Sequence, residues 1–208
     1  MIPQRSIRQN RRPLLLLCGV VFAAGATPAA GQERERHEDA IFAVVVDSLF
    51  SHRGARIVLV TPTRSIPGSF GRSSWRSVEE MPGSSAELLR DFEAANTSPR
   101  AISSLGPIRT NVVLVPREVF DTLPRGLSPP PSDGNRSIDV LREALQNRYS
   151  GASSIVILTR PGFDSAMNQA VLQIDYYCGA LCGAGQFVTL KRDGDAWRIV
   201  AIKGVWVS

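Results

Sequence analysis

The sequence predicts a single α+β domain, in which a mostly antiparallel sheet is covered by two or three helices. Three observations predict it. An apolar stripe with helical spacing comes early in the chain, strand-like runs with tight turns fill its last third, and no internal repeat or second domain boundary divides residues 32–208. The composition, 43% hydrophobic and 21% charged, excludes collagen-like, coiled-coil and wholly disordered proteins.

Residues 1–31 have the three parts of a secretory signal in order. An arginine-rich start is followed by an apolar run from Leu14 to Ala26 and by small residues up to Gly31. The apolar run is shorter than the roughly 20 residues that cross a bilayer. We therefore expect cleavage after Gly31 or after Ala26, a periplasmic or secreted protein, and no stable membrane span after cleavage. The alternative is an uncleaved amphipathic anchor.

The net charge of +5 is concentrated in that segment, which holds four of the 24 basic residues and none of the 19 acidic ones. The remaining chain is at +1, so the basic isoelectric point near 9.6 does not indicate a nucleic acid partner. No cofactor motif occurs, and no cofactor is predicted. The expected partner is a small ligand or a protein of the cell envelope.

Helices are predicted at 40–50, 85–95, 117–123 (one turn) and 137–149. The first has apolar residues at 41, 42, 45, 46, 49 and 50, which form one stripe, and Gly54 is expected to stop it. The second begins at Ser84 and Glu87, which have the spacing of a capping box. Ser137 is expected to cap the last.

Strands are predicted at 56–61, 111–115, 154–159, 170–177, 187–191 and 197–202. Pro62 is expected to close the first strand. The alternation in 170–177 favours a half-buried strand, and Asp193-Gly194-Asp195 is a hairpin turn, so the last four runs predict an antiparallel meander. Segments near 62–83 and 124–136 are rich in Pro, Gly and Ser and are predicted to be loops.

Cys178 and Cys182 remain as a pair once Cys18 leaves with the signal. A close pair in an oxidising compartment favours a disulfide, although free or redox-active thiols and a metal site stay open as alternatives. Zinc needs two further ligands, and the two histidines, His37 and His52, are far away in sequence, so no metal is predicted.

The segment around these cysteines also contains Gly179, Gly183 and Gly185. Glycine permits positive φ, so these backbone amides could converge into an anion-binding nest, which makes the glycines a possible ligand loop. The alternative interpretation is a long, tight connection between two strands, stapled by the disulfide.

No catalytic residue is identified. His52 with Asp47 is the one local pair that a Ser–His–acid triad could use, but no Gly-x-Ser-x-Gly elbow occurs, and a histidine at a helix end is usually a solvated cap. Four aromatic residues on neighbouring predicted strands either line a pocket or pack in the core: Tyr176, Tyr177, Trp197 and Trp206.

The C-terminal segment Cys178-Gly179-x-Leu181-Cys182-Gly183-x-Gly185, with Leu190-Lys191, Trp197-x-Ile199 and Trp206-x-Ser208, resembles an uncharacterised family of exported bacterial proteins. That resemblance implies no activity and no functional residue. The order of elements is loosely similar to nuclear-transport-factor-2-like and cystatin-like α+β domains, which include enzymes and binding proteins.

These observations predict an exported protein that acts as a non-catalytic extracytoplasmic binding or structural protein. The alternative is a small hydrolase or thiol-redox enzyme with a pocket that involves His52 or the thiols of Cys178 and Cys182.

Overall fold

A computed structural model describes residues 28–51, 56–65, 80–126, 128 and 139–207. These residues form one seven-stranded mixed sheet and four helices, which confirms the predicted α+β class. The strands are β1 (Arg56–Arg64), β2 (Asn111–Pro116), β3 (Ala152–Thr159), β4 (Gly162–Phe163), β5 (Gln169–Gly179), β6 (Cys182–Asp193) and β7 (Ala196–Val207). The helices are α1 (Pro28–Phe50), α2 (Ala86–Ala95), α3 (Arg117–Asp121) and α4 (Val140–Arg148).

Several predicted features lie outside the described residues. They are the signal segment up to residue 27, His52, Gly54, Ser137 and most of the loops at 62–83 and 124–136. Residues 28–31, which the sequence assigns to the end of the signal, form the first turn of α1.

The strands follow the order β2-β1-β3-β5-β6-β7, and β4 pairs with β5. β1 runs parallel to both β2 and β3, while the pairs from β3 onward are antiparallel. The predicted C-terminal meander is therefore confirmed. The parallel pairs arise because α2 lies between β1 and β2 in the chain, and α3 with α4 between β2 and β3, which gives each crossover the length it needs.

β1 continues past the proline at which the sequence predicts its end. Pro62 falls in a register shift between Val60 and Arg64, where the ladder to β3 is interrupted. Proline has no backbone N–H, but no hydrogen bond of the ladder is lost where the ladder is already interrupted. The prediction that Pro62 closes this strand is therefore wrong, and the three further residues bring Arg64 onto the sheet.

Helix α1 covers one face of the sheet. The predicted stripe is confirmed, since Ile41, Phe42, Val45, Val46 and Phe50 are buried. They pack against apolar side chains of β1, β3, β5 and β6: Ile57, Leu59, Val156, Leu158, Leu172, Ile174 and Val188. α1 is longer than predicted because it begins at Pro28, and proline is compatible with the first turn of a helix.

The opposite face is covered by two separate groups of helices. Helices α3 and α4 lie over the parallel strands, where Phe120, Leu141 and Leu145 belong to one apolar cluster with Val58 and Ile155. Helix α2 lies over the antiparallel strands and forms a second cluster with β5 and β6. Its N-cap is Ser85, which accepts from the amide of Leu88, so the predicted capping box at Ser84 and Glu87 is wrong by one residue.

Because helices cover both faces, β5 is not the half-buried strand that its alternation predicts. Leu172 and Ile174 point toward α1, while Gln173 and Asp175 point to the opposite face and are only 3% and 2% exposed. Polar side chains therefore occupy a buried position.

A second buried carboxylate holds α1 in place. Glu38 is fully buried, and the guanidinium nitrogens of Arg34, Arg100 and Arg160 lie 2.9–3.2 Å from its oxygens. Arg34 also forms a bidentate pair with Asp91 on α2, at 2.8 and 3.0 Å. The same carboxylate thus connects α1 to the loop after β3 and, through Arg34, to α2.

Candidate functional site

The candidate site is centred on the polar face of β5. Gln173, Asp175 and Tyr177 alternate along this strand and therefore project to the same side of the sheet. β5 has the long strands β3 and β6 as neighbours, so the three side chains stand near the middle of the sheet.

Asp175 is paired on both carboxylate oxygens. Arg64 forms an ion pair with Oδ2 through Nη1, and Oδ1 accepts hydrogen bonds from Gln173 Nε2 at 2.9 Å and Trp206 Nε1 at 3.1 Å. A carboxylate removed from water is tolerated only when its charge and its acceptor sites are matched in this way. Oε1 of Gln173 is buried and has no hydrogen-bond partner among the described residues.

Gly185 makes this arrangement sterically possible. It pairs with Asp175 on one side and with Trp206 on the other, so it stands directly between their side chains. A Cβ at this position would collide with the indole ring of Trp206 and crowd the carboxylate of Asp175. Glycine is therefore required at position 185 so that the side chains of Trp206 and Asp175 can meet.

The predicted nest of positive-φ glycines is not what the structure contains. Gly179 pairs with Cys182, Gly183 with Tyr177, and Gly185 with Asp175, all as members of the β5–β6 ladder. Positive φ occurs instead at other described glycines, such as Gly194 in the predicted β6–β7 turn. The alternative interpretation is correct in that the turn is tight and the cysteine pair closes it, but the connection is short, because only residues 180 and 181 separate the two strands.

Cys178 and Cys182 lie at disulfide-bonding distance across the turn of this hairpin, with their Cα atoms 5.1 Å apart. Asp139 joins the hairpin to α4, because its Oδ2 accepts from the amide of Ala180 at 3.0 Å and its Oδ1 from the amide of Arg142 at 3.1 Å. Gly179 faces that carboxylate so closely that a Cβ would clash with it.

A pocket of about 200 Å³ opens between this hairpin, α4 and the segment after α3. Its lining residues are Phe120, Arg125, Gly126, Leu141, Tyr177, Gly179, Ala180 and Trp206. The rings of Tyr177 and Trp206 are 5.4 Å apart between centroids, and those of Phe120 and Tyr177 are 6.5 Å apart. The hydrogen bond from Trp206 to Asp175 fixes the indole ring in this position. The pocket therefore has aromatic walls, one of which is held by a buried carboxylate.

Burial and the negative charge of Asp175 raise the pKa of Tyr177, although Arg64, Arg125 and Arg117 act in the opposite direction. Its phenol therefore stays protonated at neutral pH and can donate a hydrogen bond. The three arginines also place positive charge near the pocket.

The four aromatic residues singled out by sequence divide between the two faces. Tyr176 packs edge-on against Phe50 of α1, and Trp197 donates a hydrogen bond to His37 Nδ1 at 3.3 Å, so both belong to the α1 side. Tyr177 and Trp206 line the pocket on the other side. Core packing is thus correct for Tyr176 and Trp197, and pocket lining is correct for Tyr177 and Trp206.

The other candidates are not brought together. His52 lies outside the described residues, and Asp47 holds the loop before β2 by accepting from Arg109 and Thr110 at 2.9–3.0 Å. Although partial burial opposes it, these hydrogen bonds lower the pKa of Asp47. Asp193 and Asp195 are exposed at the β6–β7 turn. No triad forms among the described residues.

Sequence reasoning missed Arg64, Gln173 and Asp175. A signal was present, because Gln173 and Asp175 lie two residues apart within an otherwise apolar run. If that face of the strand is covered, the carboxylate of Asp175 needs a cation and the amide of Gln173 needs hydrogen-bond partners. That partner comes from a strand 111 residues away in sequence, which no local pattern reveals.

Fold and site together define an α+β protein with a mixed sheet, in which a buried ionic cluster supports a small aromatic pocket. No known protein family, curated protein or solved structure matches the chain. In the part of the chain that the structure describes, no helix has the length and apolar character needed to cross a bilayer.

Replacing Gly185 with alanine is expected to displace Trp206 from Asp175 and to lower the free energy of unfolding by about 1–3 kcal/mol, as overpacking does. Urea denaturation measures the loss, and the indole N–H resonance of Trp206 reports the broken hydrogen bond. Gly204→Ala on β7 is the matched control, because a Cβ there meets nothing within 4 Å. Equal stability of the two variants would contradict the steric role of Gly185.

Asp175→Asn is expected to lower the pKa of Tyr177, because it removes the charge that disfavours the phenolate and leaves the arginines in place. In the unmodified protein the midpoint should lie above the ordinary value of 10.0. NMR titration of ¹³C-labelled tyrosine rings separates Tyr177 from the other tyrosines. Asp193→Asn, in the exposed turn, should leave the midpoint unchanged, and an unchanged midpoint in Asp175→Asn would refute the coupling.

Proposed function

We propose that this chain is an exported protein that binds a small ligand in the pocket between Tyr177, Trp206 and Phe120, without catalysing a reaction. The observation that carries the proposal is the pocket itself, which has three aromatic walls and opens beside a paired ionic cluster. Small-molecule sites are typically concave and mainly apolar, with a few fixed polar groups.

The state of Asp175 favours binding over acid–base catalysis. A general base needs a free acceptor within reach of the substrate, and both oxygens of this carboxylate are already occupied by Arg64, Gln173 and Trp206. Its role is therefore to hold Trp206 in place. The thiols of Cys178 and Cys182, which the enzymatic alternative requires, lie at bonding distance from each other.

Export is supported by the same cysteine pair, because disulfides persist in oxidising compartments. It is also supported by the order of charged, apolar and small residues in 1–31. The proposed resemblance of the C-terminal segment to a family of exported bacterial proteins also favours export.

Intact mass of the protein recovered from its host, fraction by fraction, tests export and the cysteine state together. We expect a species that begins at Gln32, or at Thr27, in the periplasm or medium, and that gains two alkyl groups only after reduction. A full-length, membrane-bound species whose thiols alkylate without reduction would overturn both.

Ala180→Trp is expected to fill the pocket and abolish small-ligand binding, because Ala180 is one of the lining residues. Ligand-observed NMR with single-ring aromatic fragments measures the binding. Leu181→Trp is the matched control: it adds the same ring to the next residue of the turn, which is exposed. The proposal fails if no fragment binds the unmodified protein, or if both variants bind as it does.

A further inference from the structure

Among the described residues that line the pocket, Arg125 is the charged one. Its guanidinium lies 4.4 Å from the centroid of the Phe120 ring, so the charge is held against an aromatic wall. Among the described residues, Arg125 forms an ion pair with Asp121 at 3.4 Å, and both side chains are 58% exposed. An exposed pair of this kind contributes little, so a ligand carboxylate can replace Asp121 at small cost.

Carboxylates near the pocket are already engaged. Asp175 is paired with Arg64, and Asp139 accepts from two backbone amides and lies 4.0 Å from Arg142. Neither of these carboxylates is paired with Arg125, so the charge of Arg125 stays available to a ligand in the pocket. The hydroxyl of Tyr177 adds a neutral donor, since it stays protonated and makes no hydrogen bond to another described residue.

Size limits the apolar part of the ligand. Cavities of about 150 Å³ that are lined by apolar side chains bind benzene. A pocket of about 200 Å³ therefore has room for one six-membered ring and a short substituent. Tyr177 is in contact with both Trp206 and Phe120, since the ring centroids are 5.4 and 6.5 Å apart. A ligand ring would therefore lie against this group of rings, in offset or edge-on contact with them.

We infer that the ligand is a single-ring aromatic carboxylate, with its ring in the pocket against Phe120, Tyr177 and Trp206 and its carboxylate on Arg125. The inference rests on the proposed function and specifies the ligand class for the same pocket. A charge-assisted hydrogen bond to Arg125 would fix the orientation of the ligand, and the aromatic walls would supply most of the buried surface.

Three probes separate the two parts of the inference. Phenylacetate carries both the ring and the charge, phenylacetamide keeps the ring and shape without the charge, and cyclohexylacetate keeps the charge without the aromatic ring. Dissociation constants come from NMR titration of the ¹⁵N-labelled protein, with the indole N–H of Trp206 as the reporter inside the pocket.

Phenylacetate is expected to bind at least about ten-fold more tightly than phenylacetamide, the effect of one hydrogen bond to a charged group. It is expected to bind about two- to ten-fold more tightly than cyclohexylacetate, the effect of an aromatic contact. Arg125→Gln should remove the preference for phenylacetate over phenylacetamide and leave the affinity for phenylacetamide unchanged. Arg148→Gln is the control, because Arg148 is also exposed and also lies over an aromatic ring, that of Tyr149, away from the pocket.

Equal binding of phenylacetate and phenylacetamide, unaffected by Arg125→Gln, would overturn the anionic part while the pocket remained a ligand site. Equal binding of phenylacetate and cyclohexylacetate would overturn the aromatic part. No shift of the Trp206 resonance by any probe at millimolar concentration would overturn the proposed function together with this inference.

Discussion

A carboxylate in the middle of a sheet covered on both faces places a strong constraint on its surroundings. An unpaired charge at the position of Asp175 would cost several kcal/mol, so each neighbour must supply a donor or a cation. Arg64 reaches it only because β1 continues past Pro62. Trp206 reaches it only because the residue between the two side chains is a glycine. The extension of β1 and the glycine in β6 are thus consequences of a single buried charge.

The two faces of the sheet use the same chemistry for different purposes. On the α1 side, Glu38 gathers three arginines and fixes a helix to the loop after β3 and to α2. On the other side, Asp175 has one arginine and two neutral donors, one of which is a ring in the wall of a pocket. Glu38 therefore connects secondary-structure elements, whereas Asp175 positions the side chain of Trp206, which stays partly accessible.

Much of the fold could be predicted from local patterns. The α1 stripe, the capped helix α2, the β6–β7 turn and the antiparallel meander follow from periodicity and turn chemistry, which depend on residues close in sequence. The path of β1 beyond Pro62 and the burial of Gln173 could not be predicted, because each depends on what packs on the sheet from elsewhere in the chain. Alternation along a strand shows which residues share a face. It does not show whether a polar face is covered by water or by helices.

For the site, the sequence indicated several of the residues but not how they are arranged in space. Tyr177, Trp206 and Gly179 drew attention as an aromatic set and a glycine-rich segment, and all three line the pocket. The separation of Tyr176 from Tyr177 follows from strand alternation once β5 is assigned. Arg125 carried no signal, because it follows a helix of one turn in a proline-rich segment, where an isolated arginine is unremarkable.

The double contact of Asp139 determines how the pocket can adapt in shape. One carboxylate binds the amide of Arg142 at the start of α4 and the amide of Ala180 at the hairpin turn, and the disulfide closes the same hairpin. The two walls formed by Leu141 and by Ala180 therefore have a common anchor and keep a constant spacing. Arg125 and Gly126 form the opposite rim, where Arg125 pairs with Asp121 and lies over the ring of Phe120. A substitution that breaks either contact of Asp139 would therefore change the distance between α4 and the hairpin, and with it the width of the pocket.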